Sequence, residues 1–273
     1  MSARFLIVNA DDFGFTHDVN RGIVEAHRAG ILTAATMMAT GAAFEDAVRL
    51  AGENPALDVG CHLVLVNAPS ALDGGGMLPA TVPGLLRAML ARRIRVYDEL
   101  RAQVERILGA GIRPTHLDTH KHTHLAPPVL DAVARIAGEY GIPWVRRPFD
   151  FPLTAASVPW TKRALSRGLT VLRRRFHDVL DRHGCRSTDH FAGFQITGRF
   201  RTAELVDLIA RLPEGLTEFM THPGYCTGEL RSARTRLKES RERELEALTA
   251  PETAHALRRH GVVLTDYRSQ STS

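Results

Sequence analysis

The segment T-H-L-D-T-H-K-H-T-H-L at 115–125 sets His116, Asp118, His120, His122 and His124 at every second position. Imidazoles are polar and titrate near neutral pH, so a core rarely takes several together. In an extended chain these five side chains share one parity. In a helix, His120 and His124 would share a face. A catalytic zinc site uses three protein ligands and leaves a position open. One aspartate and two histidines satisfy that count. The remaining His and Asp residues would orient the ligands or touch substrate. A closed structural cage is the weaker reading, because Cys61, Cys185 and Cys226 are scattered.

Three further strings carry chemistry. N-A-D-D-F-G contains the neighbouring Asp11 and Asp12. On a regular strand they would point to opposite faces, whereas at a strand-to-loop turn both reach one cleft. Two close carboxylates oppose each other's ionisation unless a cation neutralises them. A divalent ion beside one leaves the other free to accept a proton from water. The bland alternative is a capping pair ahead of a helix. G-C-H-L supplies His62, with the Cys61 side chain facing away and read as packing. T-H-P-G supplies His222, which Pro223 restricts to extended geometry, as a proton donor requires. In R-R-P, Arg146 is suited to pair with Asp11 or with substrate, against the alternative of a surface charge.

Positioning these strings requires a repeating scaffold. R-F-L-I-V-N-A (4–10), I-L-T-A-A-T-M-M-A-T (31–40) and L-D-V-G-C-H-L-V-L (57–65) read as buried strands. Helical spacing over 19–30, with Gly30 as a C-cap, and over 44–55 separates them. Later strands are expected at T-H-L-D-T-H, 143–148, 190–196, 217–224 and 262–268. Helices are expected over 85–110, 129–141, 202–212 and the charged stretch 231–249. Strand alternating with helix means parallel βα units, and a distorted or incomplete (β/α) barrel fits best. Reactive residues of such barrels sit at the strand C-terminal ends, where all the strings above fall. A doubly wound open sheet is the runner-up, although G-x-G-x-x-G is absent after the first strand. The whole of 1–273 reads as a single domain. Its loop insertions lie near 67–84 and 150–190 and shape substrate choice.

The 273 residues are 44% hydrophobic and 24% charged, which is ordinary globular composition. No apolar run is long enough to span a bilayer. The run at 4–10 is too short for a signal peptide, so a cytoplasmic protein is expected. Three unpaired cysteines argue against a disulfide framework. The net charge of +5 is concentrated in W-T-K-R-A-L-S-R-G-L-T-V-L-R-R-R-F, residues 160–176. That stretch is either a solvated helical face or a surface that meets anionic lipid. Aromatic residues are few at 6%, which speaks against nucleic-acid binding.

Taken as an ordered set over Asn9 to Tyr267, N-A-D-D-F-G, G-C-H-L, T-H-L-D-T-H-K-H-T-H and T-H-P-G resemble the YdjC-like (ChbG-type) carbohydrate deacetylase family. They are also similar to its hopanoid-biosynthesis (HpnK-like) branch. The resemblance implies a polysaccharide-deacetylase-like distorted barrel with one divalent metal held by Asp12, His62 and His124. It implies Asp11 as general base and His222 as acid. On the reading of the motifs themselves, Asp118, His120, His122 and Arg146 are then left to orient the ligands or touch substrate. His124 stands ahead of His120 only through the family's H-x-H pattern; the spacing leaves both open. Mixed Asp/His ligation suits zinc, nickel, cobalt or manganese, and magnesium less naturally.

The activity so implied is hydrolysis of the acetamide of an N-acetylated amino sugar, in an N-acetylglucosamine-containing oligosaccharide or a glycolipid such as a glycosylated hopanoid. Peripheral contact with an anionic membrane through 160–176 would accompany a lipid-linked substrate. A homodimer stays open. Two rivals stand beside this reading. A glycosidase needs two carboxyl groups about 5–10 Å apart across a sugar ring, which adjacent aspartates serve poorly. A metal- or sugar-binding module without turnover has no use for a spare base.

Overall fold

Strand β1 (Arg4–Phe13) lies at the middle of an eight-stranded, all-parallel sheet in a computed structural model that describes residues 3–72, 74, 76–151 and 160–271. The other strands are β2 (Ala34–Met37), β3 (Asp58–Leu63), β4 (His116–Thr119), β5 (Trp144–Val145), β6 (His190–Ala192), β7 (Gly215–Thr221) and β8 (Val262–Leu264). Their order is β5-β4-β3-β2-β1-β7-β6. β7 takes one edge of β1 from Arg4 to Ala10. The other edge is divided between β8, paired at Arg4–Leu6, and β2, paired from Asn9 onward.

The sheet's two ends come together. Asp150, beyond β5, bridges Phe191 of β6, and Trp144 of β5 bridges Arg186. Two single bridges in place of a full ladder make the barrel distorted and incompletely sealed. An open doubly wound sheet would leave these edges apart.

Strand periodicity then sorts the side chains. Leu6, Val8 and Ala10 of β1, Cys61 and Leu63 of β3, Leu117 of β4 and Phe219 of β7 join the large core beneath the helices. Residues of the other parity form an inner column. Ile7, Ala34, Trp144 and Leu216 make its apolar floor, joined by Tyr267, which opens the helix Tyr267–Ser271 where the strand expected over 262–268 has already ended at Leu264. Above them stand the buried polar groups Asn9, Thr36, His62, His116, Asp118, Arg146 and Glu218. A period of two puts the apolar set outward and the polar set into the barrel.

The helices follow the expected alternation, with three differences. Helix His17–Ala29 is capped by Thr16, whose hydroxyl accepts from Val19 N at 3.2 Å. Gly30 ends it at φ −129°, outside the left-handed region. Its need for glycine is steric, because an added Cβ would lie 2.4 Å from Leu248 O. The stretch 85–110 is two helices, Val82–Leu90 and Val96–Gly109, separated at Arg92 with φ +53°. The charged stretch also divides, into Gly228–Ser232 and Glu239–Thr249, and a further helix, Pro251–Arg259, follows. Of the two loop insertions, residues 73, 75 and 152–159 lie outside the described residues, while 160–169 and 173–182 are helical. Among the described residues, no helix is long and apolar enough to cross a membrane.

Candidate active site

The C-terminal ends of β1, β3, β4 and β7 meet at one rim, over a cleft of about 490 Å³ lined by Asp11, Asp12, His120, His122 and His222 among others. The two aspartates reach it together because β1 does not end regularly. Its register against β2 shifts between Ala10 and Phe13, and Asp12 takes φ +70°. Asn67, Lys121 and His122 also have positive φ. Thus four of the five described non-glycine residues in that region line this cleft. Each costs on the order of 1–2 kcal/mol, and such strain gathers where a site needs it.

The left-handed pair Lys121–His122 disperses the histidine run. His116, still on β4, points down the barrel. Its Nε2 faces Asn9 Oδ1 at 2.9 Å and its ring stacks on Tyr267 with centroids 3.9 Å apart. Gly60 makes room for it, since a Cβ there would meet the His116 ring at 2.7 Å. His120 turns into the cleft. His122 packs edge-on to Phe191 and Phe194.

His124, expected as a metal ligand, turns away from that cluster and is fully buried. Its Nε2 lies 3.1 Å from Arg146 O, a carbonyl that only accepts, so Nε2 carries the hydrogen. The lone pair of Nδ1 is taken by the Thr119 hydroxyl at 2.6 Å. Neither nitrogen is left for an ion. Burial, reinforced by the Arg146 charge, pushes this imidazole down to about 3 and keeps it neutral.

Three donor atoms do converge. Asp12 Oδ1 lies 3.4 Å from His62 Nε2 and 3.4 Å from His120 Nδ1, and those nitrogens are 3.2 Å apart. Bonds of about 2.0–2.1 Å to a tetrahedral ion separate its ligands by about 3.3 Å. The spacing therefore fits the corners around one small divalent cation. Asp12 Oδ1 is buried and, among the described residues, accepts no well-formed hydrogen bond, having only the two imidazole nitrogens 3.4 Å away, the state expected of an oxygen meant for a cation. A second grouping, Asp11, His62 and Asp118, is also compact. There Arg146 already occupies the carboxylates, so a cation would have to displace a buried arginine.

The surrounding groups hold the donors in place. Asp118 Oδ1 accepts from His62 Nδ1 at 2.6 Å, which directs Nε2 outward to Asp12 and His120. Arg241 Nη2 donates to Asp12 Oδ2 at 2.5 Å and leaves Oδ1 free. Arg146, buried at the centre, reaches three carboxylates. It grips Asp11 through two nitrogens at 2.6 and 2.8 Å, Asp118 at 2.5 Å and Glu218 at 2.6 Å. Burial alone would raise the Asp11 pKa; Arg146 and His62 reverse this and hold it far below the usual carboxylate range. Asp12 is likewise held low against its burial by Arg241 and the two histidines.

His222 closes the far side, with Nε2 3.8 Å from Asp11 Oδ2. Its backbone N–H donates to Glu244 Oε2 at 2.6 Å, and burial pushes the imidazole down to about 4. The sequence reading missed Arg241, Glu244 and Glu218. Arg241 and Glu244 sit in R-S-A-R-T-R-L-K-E-S-R-E-R-E-L-E-A, where exposed charges mask them. The usable signal is their i, i+3 spacing beside Leu245 and Leu248, which marks the buried face.

The profile of YdjC-like proteins matches residues 5–259, and the chain belongs to that family. It is 37% identical over 254 residues to a carbohydrate deacetylase of Brevibacillus brevis, covering 90% of this chain and 92% of that one. It is 32% identical to a chitooligosaccharide deacetylase of Salmonella typhimurium, with 94% and 96% covered. In three dimensions it resembles an Enterococcus faecalis protein put forward as a cellobiose-phosphate cleavage protein. That match has a TM-score of 0.76 at 24% identity, spans 98% and 99% of the two chains, and supports the barrel fold.

Proposed function

We propose that the protein is a metal-dependent carbohydrate N-deacetylase, hydrolysing the acetamide of an N-acetylated amino sugar. The observation that carries this is the triad Asp12 Oδ1, His62 Nε2 and His120 Nδ1 at 3.2–3.4 Å, beside a second, ionised carboxylate. The names of the relatives above, carbohydrate and chitooligosaccharide deacetylase, support the substrate class. A divalent ion held by the triad supplies Lewis acidity toward a carbonyl oxygen and makes water easier to deprotonate.

The chain's own groups do the rest. Asp11, fixed by Arg146 and by Asn9 Nδ2 at 3.2 Å, stays ionised and takes the proton of the attacking water. His222 Nε2 is neutral at rest and stands 3.8 Å away, so it can receive that proton and pass it to the departing amine. Water and the amide become acetate and the free amino sugar. A glycosidase would need one carboxylic acid kept protonated, whereas Asp11 and Asp12 are both held ionised.

The test is release of acetate, with appearance of a free amine, from chito-oligosaccharides and N-acetylglucosaminyl lipids after metal reconstitution. Asp11→Asn should lower the rate by ~10²–10⁴-fold. Activity that survives both EDTA and Asp11→Asn would defeat the reading.

A glycolipid substrate such as a glycosylated hopanoid, met at an anionic membrane surface, is the narrower form of this proposal. It is favoured by Trp160, Leu165 and Val171, which stay exposed on the basic segment beside the cleft. Turnover of soluble chito-oligosaccharides alone, with no turnover of N-acetylglucosaminyl lipids, would remove it.

A further inference from the structure

Beside the catalytic cleft lies a second cavity of about 500 Å³. The two share a wall. Lys162 and Phe194 line the cleft, while their chain neighbours Arg163 and Gln195 line the second cavity. Five arginines line it, Arg147, Arg163, Arg167, Arg173 and Arg211, against one carboxyl, Asp150. Asp150 is turned to the backbone, accepting from Phe194 N at 3.1 Å and Gln195 N at 2.7 Å. Arg211 is engaged by Asp207 at 2.8 Å. Among the described residues no carboxylate comes within 4 Å of Arg147, Arg167 or Arg173.

Arg147 is the informative member. It is 5% exposed, and among the described residues its Nε has no hydrogen-bond partner. Its Nη1 donates to the carbonyls of Thr188 and Asp189 and to no acid. A buried guanidinium is ordinarily paired, because an isolated buried charge is strongly disfavoured. Here burial and the neighbouring Arg173 charge push its pKa down to about 10, the Asp189 carboxylate beyond 4 Å offsetting only part of this, and an anion seated against the guanidinium would reverse it. No step of the deacetylation uses any of these residues.

The geometry points to a second binding site in this cavity for a phosphate-bearing anion, seated on Arg147 and closed over by Arg167 and Arg173. Guanidinium forks match phosphate oxygens in pairs, and a phosphate offers the acceptors that the Arg147 Nε lacks. The volume exceeds that of a bare phosphate and leaves space for the group that carries it. The site rests on the cavity alone and stands whether or not the deacetylase reading holds. Two sources share this chemistry, a free phosphate and the headgroup of an anionic lipid presented along 160–176.

Calorimetric titration of the full chain with inorganic phosphate and with pyrophosphate at low ionic strength addresses the first source. Co-sedimentation with vesicles of 3:1 phosphatidylcholine to phosphatidylglycerol addresses the second. Binding in either arm that weakens by about tenfold or more in Arg147→Met supports the site and names its source. Arg173→Gln, at an exposed position, provides the same readout should Arg147→Met fail to fold. Absence of binding in both arms, or binding equal in wild type and in the folded variants, would overturn the assignment.

Discussion

The carboxylate of Asp118 and the imidazole of His62 meet at 2.6 Å in the middle of the barrel, on adjacent parallel strands in direct register. This contact decides which nitrogen of His62 faces the cleft. With Nδ1–H committed to Asp118, Nε2 is the nitrogen turned to the position between Asp12 and His120, and a cation bound there takes the place of the Nε2 proton. Burial alone would favour a neutral, weakly basic ring; the Asp118 charge outweighs it and raises the His62 pKa well above its usual value. Asp118→Asn keeps the shape and removes that charge. The expected result is a loss of ~10–100-fold in metal affinity, read by competition with a chromogenic chelator. Affinity within twofold of wild type would show that the contact is incidental.

Arg146 holds three buried carboxylates, Asp11, Asp118 and Glu218. Removing one partner of a buried ionic network leaves uncompensated charge, and this typically costs ~3–5 kcal/mol. Arg146→Met should therefore lower the unfolding free energy by about that amount in a urea titration. Glu218 already shows the tension, since its burial drives its pKa up to about 7 in spite of Arg146. A change under about 1 kcal/mol would mean that the carboxyls can neutralise themselves by protonation at little cost.

His124 gives a pH-dependent prediction whose sign follows from its depressed pKa. Folded, it titrates at about 3; unfolded, it returns to about 6.5. Between those values the unfolded chain binds the extra proton, so stability falls as pH drops below about 6.5. The contribution amounts to ~2 kcal/mol between pH 7.5 and pH 5. His124→Gln, compared with wild type by urea unfolding in chelator at both pH values, should lose about that much acid sensitivity. Equal acid slopes for the two proteins would contradict the buried, neutral assignment.

Much of the site is legible in the sequence for a topological reason. Parallel strands bring their C-terminal ends to one rim, so N-A-D-D, G-C-H-L, T-H-L-D-T-H and T-H-P-G had to meet once the βα rhythm was read. Strand parity likewise places His62 and Asp118 on the inner side. The choice between His120 and His124 depends on two left-handed residues, Lys121 and His122. Neither is glycine or asparagine, so H-K-H-T carries no local signal for that turn. Arg241 and Glu244 are hidden for a different reason. A charged helix reads as solvated until its packing partner is known, and their partners are Asp12 and the His222 backbone, each more than twenty residues away in sequence. Barrel closure rests on two single bridges, too short to leave a periodic trace.

The central claim is that Asp12, His62 and His120 grip one ion. The most direct measurement is metal content per chain after apo-protein is loaded with zinc and exhaustively dialysed, for wild type and for His62→Ala, His120→Ala and His124→Ala. The account predicts one equivalent in wild type and in whatever fraction of His124→Ala remains folded, with loss in His62→Ala and His120→Ala. Retention of a full equivalent by His120→Ala, together with its loss from folded His124→Ala, would contradict it.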